Sequence, residues 1–181
     1  MIGALLRHFP VAGERRSPLA SSAFAATGEI SVSSSAFADG GAIPKACAGK
    51  GVGDDSSPQL SWSGVPAHAR QVVLIIDDID VPLPRPLIHS VAVVDPGVEQ
   101  VDSGALRPGT PGFRFLPGTL GYRGYAGPRP IPGHGPHRYR FMVFALDKTI
   151  ADDVCTSKAL LREMAGHVLA RGVLTGTYER G

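Results

Sequence analysis

A chain of 181 residues with 43% hydrophobic side chains is long enough to build one domain with a substantial core and too short for two independent ones. Its 18 basic and 16 acidic residues leave a formal charge of +2, and without a basic helix face or interleaved aromatics this charge excludes a nucleic-acid-binding reading. The 23 glycines and 16 prolines are spread between apolar runs, which predicts many turns and short strands.

Residues 1–26 mix Arg, Pro, Ser and Ala without a sustained period. They read as an N-terminal extension, locally basic at Arg7, Arg15 and Arg16, with residues 27–181 forming a single domain. The stretch Ile2 to Leu6 is too short for a signal-peptide core, and nothing approaches the ~20 apolar residues of a membrane span. A cytoplasmic protein with no integral membrane segment is expected. Over residues 29–37, Ile30 and Val32 alternate with polar residues and lead into Asp39-Gly40-Gly41, a half-buried strand closing in a turn. Residues 49–58 are a Gly/Asp/Ser-rich loop, after which Leu60 and Trp62 alternate with Ser61 and Ser63, placing both large side chains on one strand face and Trp62 in the core.

The run Val72 to Ile76 has no polar alternation, so it reads as a central strand covered on both faces, as do Val91–Val94 and Phe141–Leu146. Pro/Gly loops rather than helices separate these strands, which favours a mainly β fold with one sheet packed on another. The exception is Thr156 to Arg171, where Leu160, Met164 and Val168, flanked by Leu161 and Ala165, predict a helix capped by Gly172; Val173 to Tyr178 then closes as a last strand. Cys47 and Cys155 are far apart and read as two thiols in a reducing cytosol, without an assigned role.

Two segments concentrate the chemistry. The central strand ends in Asp77-Asp78-Ile79-Asp80-Val81-Pro82, with His89 soon after, and a loop rich in Pro and Gly from Gly127 to Pro136 runs into His137-Arg138-Tyr139. Asp78 and Asp80 leave one face of an extended segment, so at least one must hold its proton tightly unless cations or donors compensate; His89, His137 and Arg138 are the candidates. Such an acid and imidazole cluster can hold a phosphate, because imidazolium and backbone N–H groups attract the anion and a monoprotonated phosphate can donate to a carboxylate. Gly127 is expected to let a backbone N–H approach a ligand oxygen while the prolines hold the loop open. The structural alternatives are a solvated Asp turn and an ordinary strand-edge histidine. His68, His134 and His167 fit no motif position, and His167 reads as helix surface or packing. No tight His spacing for a metal and no Gly-x-Ser-x-Gly elbow occurs, so neither a metal nor a cofactor is expected.

The order Asp-x-Asp-x-Pro at 78–82, His89 with Pro96, Gly127-Pro128-Arg129-Pro130 and His137-Arg138-Tyr139, preceded by Ser57-Pro58-Gln59-Leu60-Ser61-Trp62-Ser63-Gly64-Val65-Pro66, resembles the phosphatidylethanolamine-binding protein (PEBP) family. It is most similar to the short bacterial and archaeal Raf-kinase-inhibitor-like branch, over roughly residues 28–178. The resemblance implies a PEBP-like antiparallel β-sandwich of two sheets with a C-terminal covering helix. It also implies a small anion pocket at Asp78, His89, Gly127, His137 and Tyr139, supported by Asp80 and Pro82. Departures are Ser90, where the family commonly has Trp, Ile79 and Val81 within the acidic motif, and Ile131 for a proline. The function implied is binding of a small anionic or phosphorylated ligand such as a phospholipid head group, or inhibition of a kinase or protease partner, and a homodimer is left open. The alternative from the residues is a hydrolase or isomerase with His137 as general base and Asp78 orienting it.

Overall fold

The computed structural model describes residues 10–180; the first nine residues of the expected extension, including Arg7 and Ile2 to Leu6, lie outside the described residues. Nine strands are found among them: β1 Gly28–Glu29, β2 Ser31–Ser33, β3 Leu60–Ser63, β4 Gln71–Asp78, β5 Leu87–Val94, β6 Gln100–Val101, β7 Phe113–Leu116, β8 His137–Leu146 and β9 Val168–Tyr178. They form a six-stranded sheet in the order β1-β9-β8-β4-β5-β7 and a three-stranded sheet in the order β2-β3-β6. All pairings are antiparallel except the two-residue β1, which runs parallel to β9.

Every residue of β4 is buried, as its lack of alternation requires, because each face of the large sheet has its own cover. On one face Leu74, Ile76, Ala92, Phe141 and Val143 pack against Leu60, Trp62 and Val101 of the small sheet. Trp62 is core as expected, its Nε1 donating to the Val98 carbonyl at 2.9 Å. On the other face Val73, Ile75, Val91, Met142 and Phe144 meet Leu160 and Met164 of helix α1 (Ser157–Met164) and, from the amino-terminal turns, Leu19 and Phe24. The mainly β fold of two sheets and a covering helix is therefore present, with residues 10–26 contributing to its second core.

The helix is shorter than its apolar stripe predicts. Thr156 caps it, accepting from the Ala159 N–H at 3.1 Å, but it stops at Met164, and Gly166 takes the left-handed φ of 81°. Val168 is not on the helix: it opens β9 opposite Leu146. Gly172 is likewise not a cap but lies within β9 where the chain crosses from β1 to β2 above it, and a Cβ there would sit 1.9 Å from the Ile30 carbonyl oxygen. A period of four in Leu160, Met164 and Val168 continued past a break that the glycine imposes. The expected strand over 29–37 is likewise two short pieces, since the chain changes sheets at Ile30, whose N–H bonds the Arg171 carbonyl of the large sheet.

Candidate functional site

The carboxyl end of β4 lies between the start of β8 and the start of β5, which brings the two sequence segments together. Asp78 stands opposite Tyr139 in the ladder and Asp77 opposite Arg140, so neighbouring acids face opposite sides of the sheet. His137 and Tyr139, two apart, share the inter-sheet side with Asp78. His89 reaches the same side by a bulge at Ile76/Asp77. Strict alternation would have put it with Val91 and Val93 on the helix side, but its ring lies edge-on to Tyr139, with centroids 5.3 Å apart.

A chain of short contacts runs through the site. The His137 Nδ1 and Asp78 Oδ2 are 2.7 Å apart, and the His137 Nε2 is 2.7 Å from His134 Nδ1. A carboxylate can only accept, so His137 Nδ1 carries a proton and donates it. In the neutral chain His137 Nε2 then accepts from His134 Nδ1, and His134 Nε2 is left as an acceptor. Asp78 Oδ1 accepts from the Asp80 N–H at 2.9 Å, so both Asp78 oxygens are already engaged.

The repulsion expected between Asp78 and Asp80 is compensated. Asp80 accepts from Arg138 N–H, Nε and Nη2 at 2.9, 2.7 and 2.7 Å. Burial alone would raise the Asp80 carboxyl, yet the Arg138 bonds and charge outweigh it and hold it below the ordinary carboxylate range. Asp80 therefore supports the site from outside it, and Pro82 follows, half-buried, in the bend after it.

His89 Nδ1 lies 2.7 Å from the Ala126 carbonyl oxygen, which fixes that nitrogen as the donor. Burial depresses the His89 pKa against the opposing pull of that carbonyl and of Asp78, so the ring is neutral and its Nε2 is an acceptor. Burial, followed by the Asp78 charge, pushes the Tyr139 hydroxyl far above its usual range, keeping it a donor. Among the described residues, four buried side-chain polar atoms lack a well-aligned partner: His89 Nε2, Ser90 Oγ, His134 Nε2 and Tyr139 Oη. His134 and His89 are only 8% and 7% exposed, so water does not compensate them freely. Beside His89 opens a recess of about 210 Å³ with Gly127, Tyr122 and Tyr125 on its walls and Lys50 and Arg129 at its edge.

Gly127 departs from the sequence expectation. Its N–H donates to Asp55 Oδ1 at 2.7 Å rather than pointing free into the recess. Glycine is needed there because the loop presses on residues 47–49: a Cβ would lie 2.2 Å from the Cys47 carbonyl oxygen. Asp55, the one non-glycine residue at positive φ among the described residues, was invisible in the Gly/Asp/Ser loop. His134 was passed over because it fits no motif position; its only signal was its place three residues before His137 in the rigid loop. His167 is a half-exposed partner of Asp147, with Nδ1 to Oδ1 at 2.8 Å. Among the described residues no His, Cys, Asp or Glu cluster forms a metal-ligand set, and no helix is long and apolar enough to cross a membrane.

Comparison with known proteins bears on the family and the fold. The family model for phosphatidylethanolamine-binding protein matches residues 33–179. A UPF0098 protein of Methanothermobacter thermautotrophicus is 39% identical over 154 residues, covering 81% of this chain and 96% of the relative. One from Chlamydia trachomatis is 36% identical over 160 residues, covering 83% and 99%. Among solved structures, a PEBP homologue from Chlamydia trachomatis superposes with a TM-score of 0.75 at 34% identity over 86% of this chain and all of its own. YbcL of E. coli, described as a member of the mammalian PEBP family, gives 0.76 at 26% identity, covering 84% and 99%. With the fold, the order of its motifs and the matched length in agreement, the chain belongs to the phosphatidylethanolamine-binding protein family.

Proposed function

We propose that the chain is a binding protein for a small phosphate-like anion, held by His89, His134 and Tyr139 beside the Gly127 loop, with His137 linking His134 to Asp78 and with Asp80 and Pro82 in support. The observation that carries this reading is the group of unpartnered polar atoms at one end of the central strands. Leaving a buried donor or acceptor unmade costs about 1–3 kcal/mol each, a cost a ligand would remove. A monoprotonated phosphate suits the pattern, since its hydroxyl donates to a neutral His89 Nε2 and its oxygens accept from Tyr139. On the lining of the recess Lys50 and Arg129 outnumber the one acid, Asp55, whose Oδ1 already accepts from the Gly127 N–H, and this balance favours a negative guest.

The source of the phosphate, whether a phospholipid head group or a phosphorylated residue of a kinase or protease partner, belongs to the same chemistry. A titration of the chain with inorganic phosphate and with phosphoethanolamine, followed by histidine-ring NMR, tests it. The His89, His134 and His137 signals should shift saturably; rings indifferent to millimolar ligand would overturn the reading. A second reading rests on the Asp78–His137–His134 chain, which has the form of a general-base relay for a hydrolase or isomerase. Turnover of an ester or phosphoester panel that is lost in His137→Ala would establish that reading in place of binding alone. The free thiols of Cys47 and Cys155 support a reducing, cytoplasmic setting.

A further inference from the structure

On the opposite side of the sheet, a cleft of about 540 Å³ opens between α1, the amino-terminal turns and the start of β5. Its volume falls within the roughly 300–1,000 Å³ of small-molecule sites. The walls are apolar: Leu19 and Phe24 come from the turns, Ile88 from β5, and Leu161 and Ala165 from α1. The one acid on the lining, Asp77, is already neutralised by Arg140, whose Nε and Nη2 donate to it at 2.9 and 2.6 Å. The remaining charges on the lining are all cationic: Arg85, Lys158 and Arg162.

These three cations are exposed, and none has an ion-pair partner among the described residues. Lys158 and Arg162 are four apart, so they stack on one face of α1 beside the parallel row of Leu161 and Ala165. Like charges at that spacing destabilise a helix, and Lys158 also stands in the first turn, where a cation opposes the helix dipole. No acid in that turn offsets it. The helix therefore tolerates two unfavourable placements at the rim of an apolar cleft.

We propose that this cleft binds a single-chain anionic amphiphile, the chain lying on Leu19, Phe24, Ile88 and Leu161 and the head group meeting Lys158, Arg162 and Arg85. Charge complementarity selects this occupant, since an apolar peptide or a cationic amphiphile would leave the rim unanswered. The site is separate from the histidine cluster, because β4 sends Asp77 and Asp78 to opposite faces.

Calorimetric titration of the full chain with dodecanoate below its micelle concentration provides the test, with dodecyltrimethylammonium as the control of opposite charge. Dodecanoate should bind one-to-one, inorganic phosphate should not displace it, and the cation should not bind. Leu161→Asp, and separately the exposed pair Lys158→Glu/Arg162→Glu, should each weaken dodecanoate by at least about tenfold, the pair leaving the melting temperature near that of the parent. Absence of saturable binding, equal binding of the cationic amphiphile, or affinity unchanged in the charge-reversed pair would overturn the proposal. So would binding that appears only after residues 1–9 are removed, which would make the chain's own amino terminus the occupant, or a dimer formed through this cleft that dodecanoate does not disrupt.

Discussion

Asp77 and Asp78 are adjacent at the end of one strand, yet they have opposite environments. On the helix side Asp77 receives two bonds from Arg140, and Arg140 also reaches Glu14 Oε1 at 3.1 Å and Ser17 Oγ at 3.2 Å. Burial raises the Asp77 pKa and Arg140 pulls it back, a balance typical of a buried ion pair. On the inter-sheet side Asp78 begins a chain of imidazoles whose far end, with the neighbouring His89, Ser90 and Tyr139, has no complete set of partners. The difference separates a polar cluster that closes on itself and holds the amino-terminal segment down from one whose far end keeps unmade bonds.

The largest effect should come from opening the closed side. Arg140→Ala leaves Asp77 buried without its cation and should cost about 3–5 kcal/mol in denaturant unfolding, because an uncompensated buried charge remains. Next, Gly127→Ala forces a methyl against the Cys47 carbonyl and should cost about 1–3 kcal/mol, together with weaker phosphate binding from a displaced recess wall. Asp78→Asn on the open side should change stability less than Arg140→Ala yet weaken phosphate by at least about tenfold, since the amide's one oxygen cannot serve both the Asp80 N–H and His137 Nδ1, and an amide NH2 turned to His137 favours the other tautomer.

The pH dependence sharpens the same contrast. The His89 pKa is depressed below its ordinary 6.5 in the folded chain, so the unfolded chain takes up that proton first. Stability should therefore fall as pH drops below about 6.5 until the folded value is reached, and His89→Gln should flatten this part of the profile in thermal melts without phosphate. Asp80 has the usual carboxylate sign: its contribution is present above the ordinary 3.8 and is lost as pH falls through its depressed folded value. Arg138→Ala should cost less than Arg140→Ala, about 1–3 kcal/mol, because it strips two charge-assisted bonds from the buried Asp80 while the Arg138 backbone N–H still donates to it.

The core strands were legible because burial on both faces writes an unbroken apolar run, as in Val72 to Ile76. The site's acids and imidazoles were legible through the spacing of their motifs. What was not legible depends on contacts between distant segments. A β-bulge turned His89 to the Tyr139 face, Glu14 and Ser17 found Arg140 across the sheet, and Asp55 took the Gly127 N–H. The helix end was missed for a local reason, since the apolar stripe outran the glycine that ends it, and Gly172 is fixed by a crossing strand that no sequence period records.

The most direct measurement is a crystal structure of the chain grown with O-phosphoethanolamine. The account predicts phosphate oxygens within hydrogen-bond distance, roughly 3 Å, of His89 Nε2 and Tyr139 Oη, with His134 Nε2 either bonded to the ligand or displaced by it. Well-ordered crystals at saturating ligand with only water against these atoms, or with the ligand bound solely elsewhere, would contradict it.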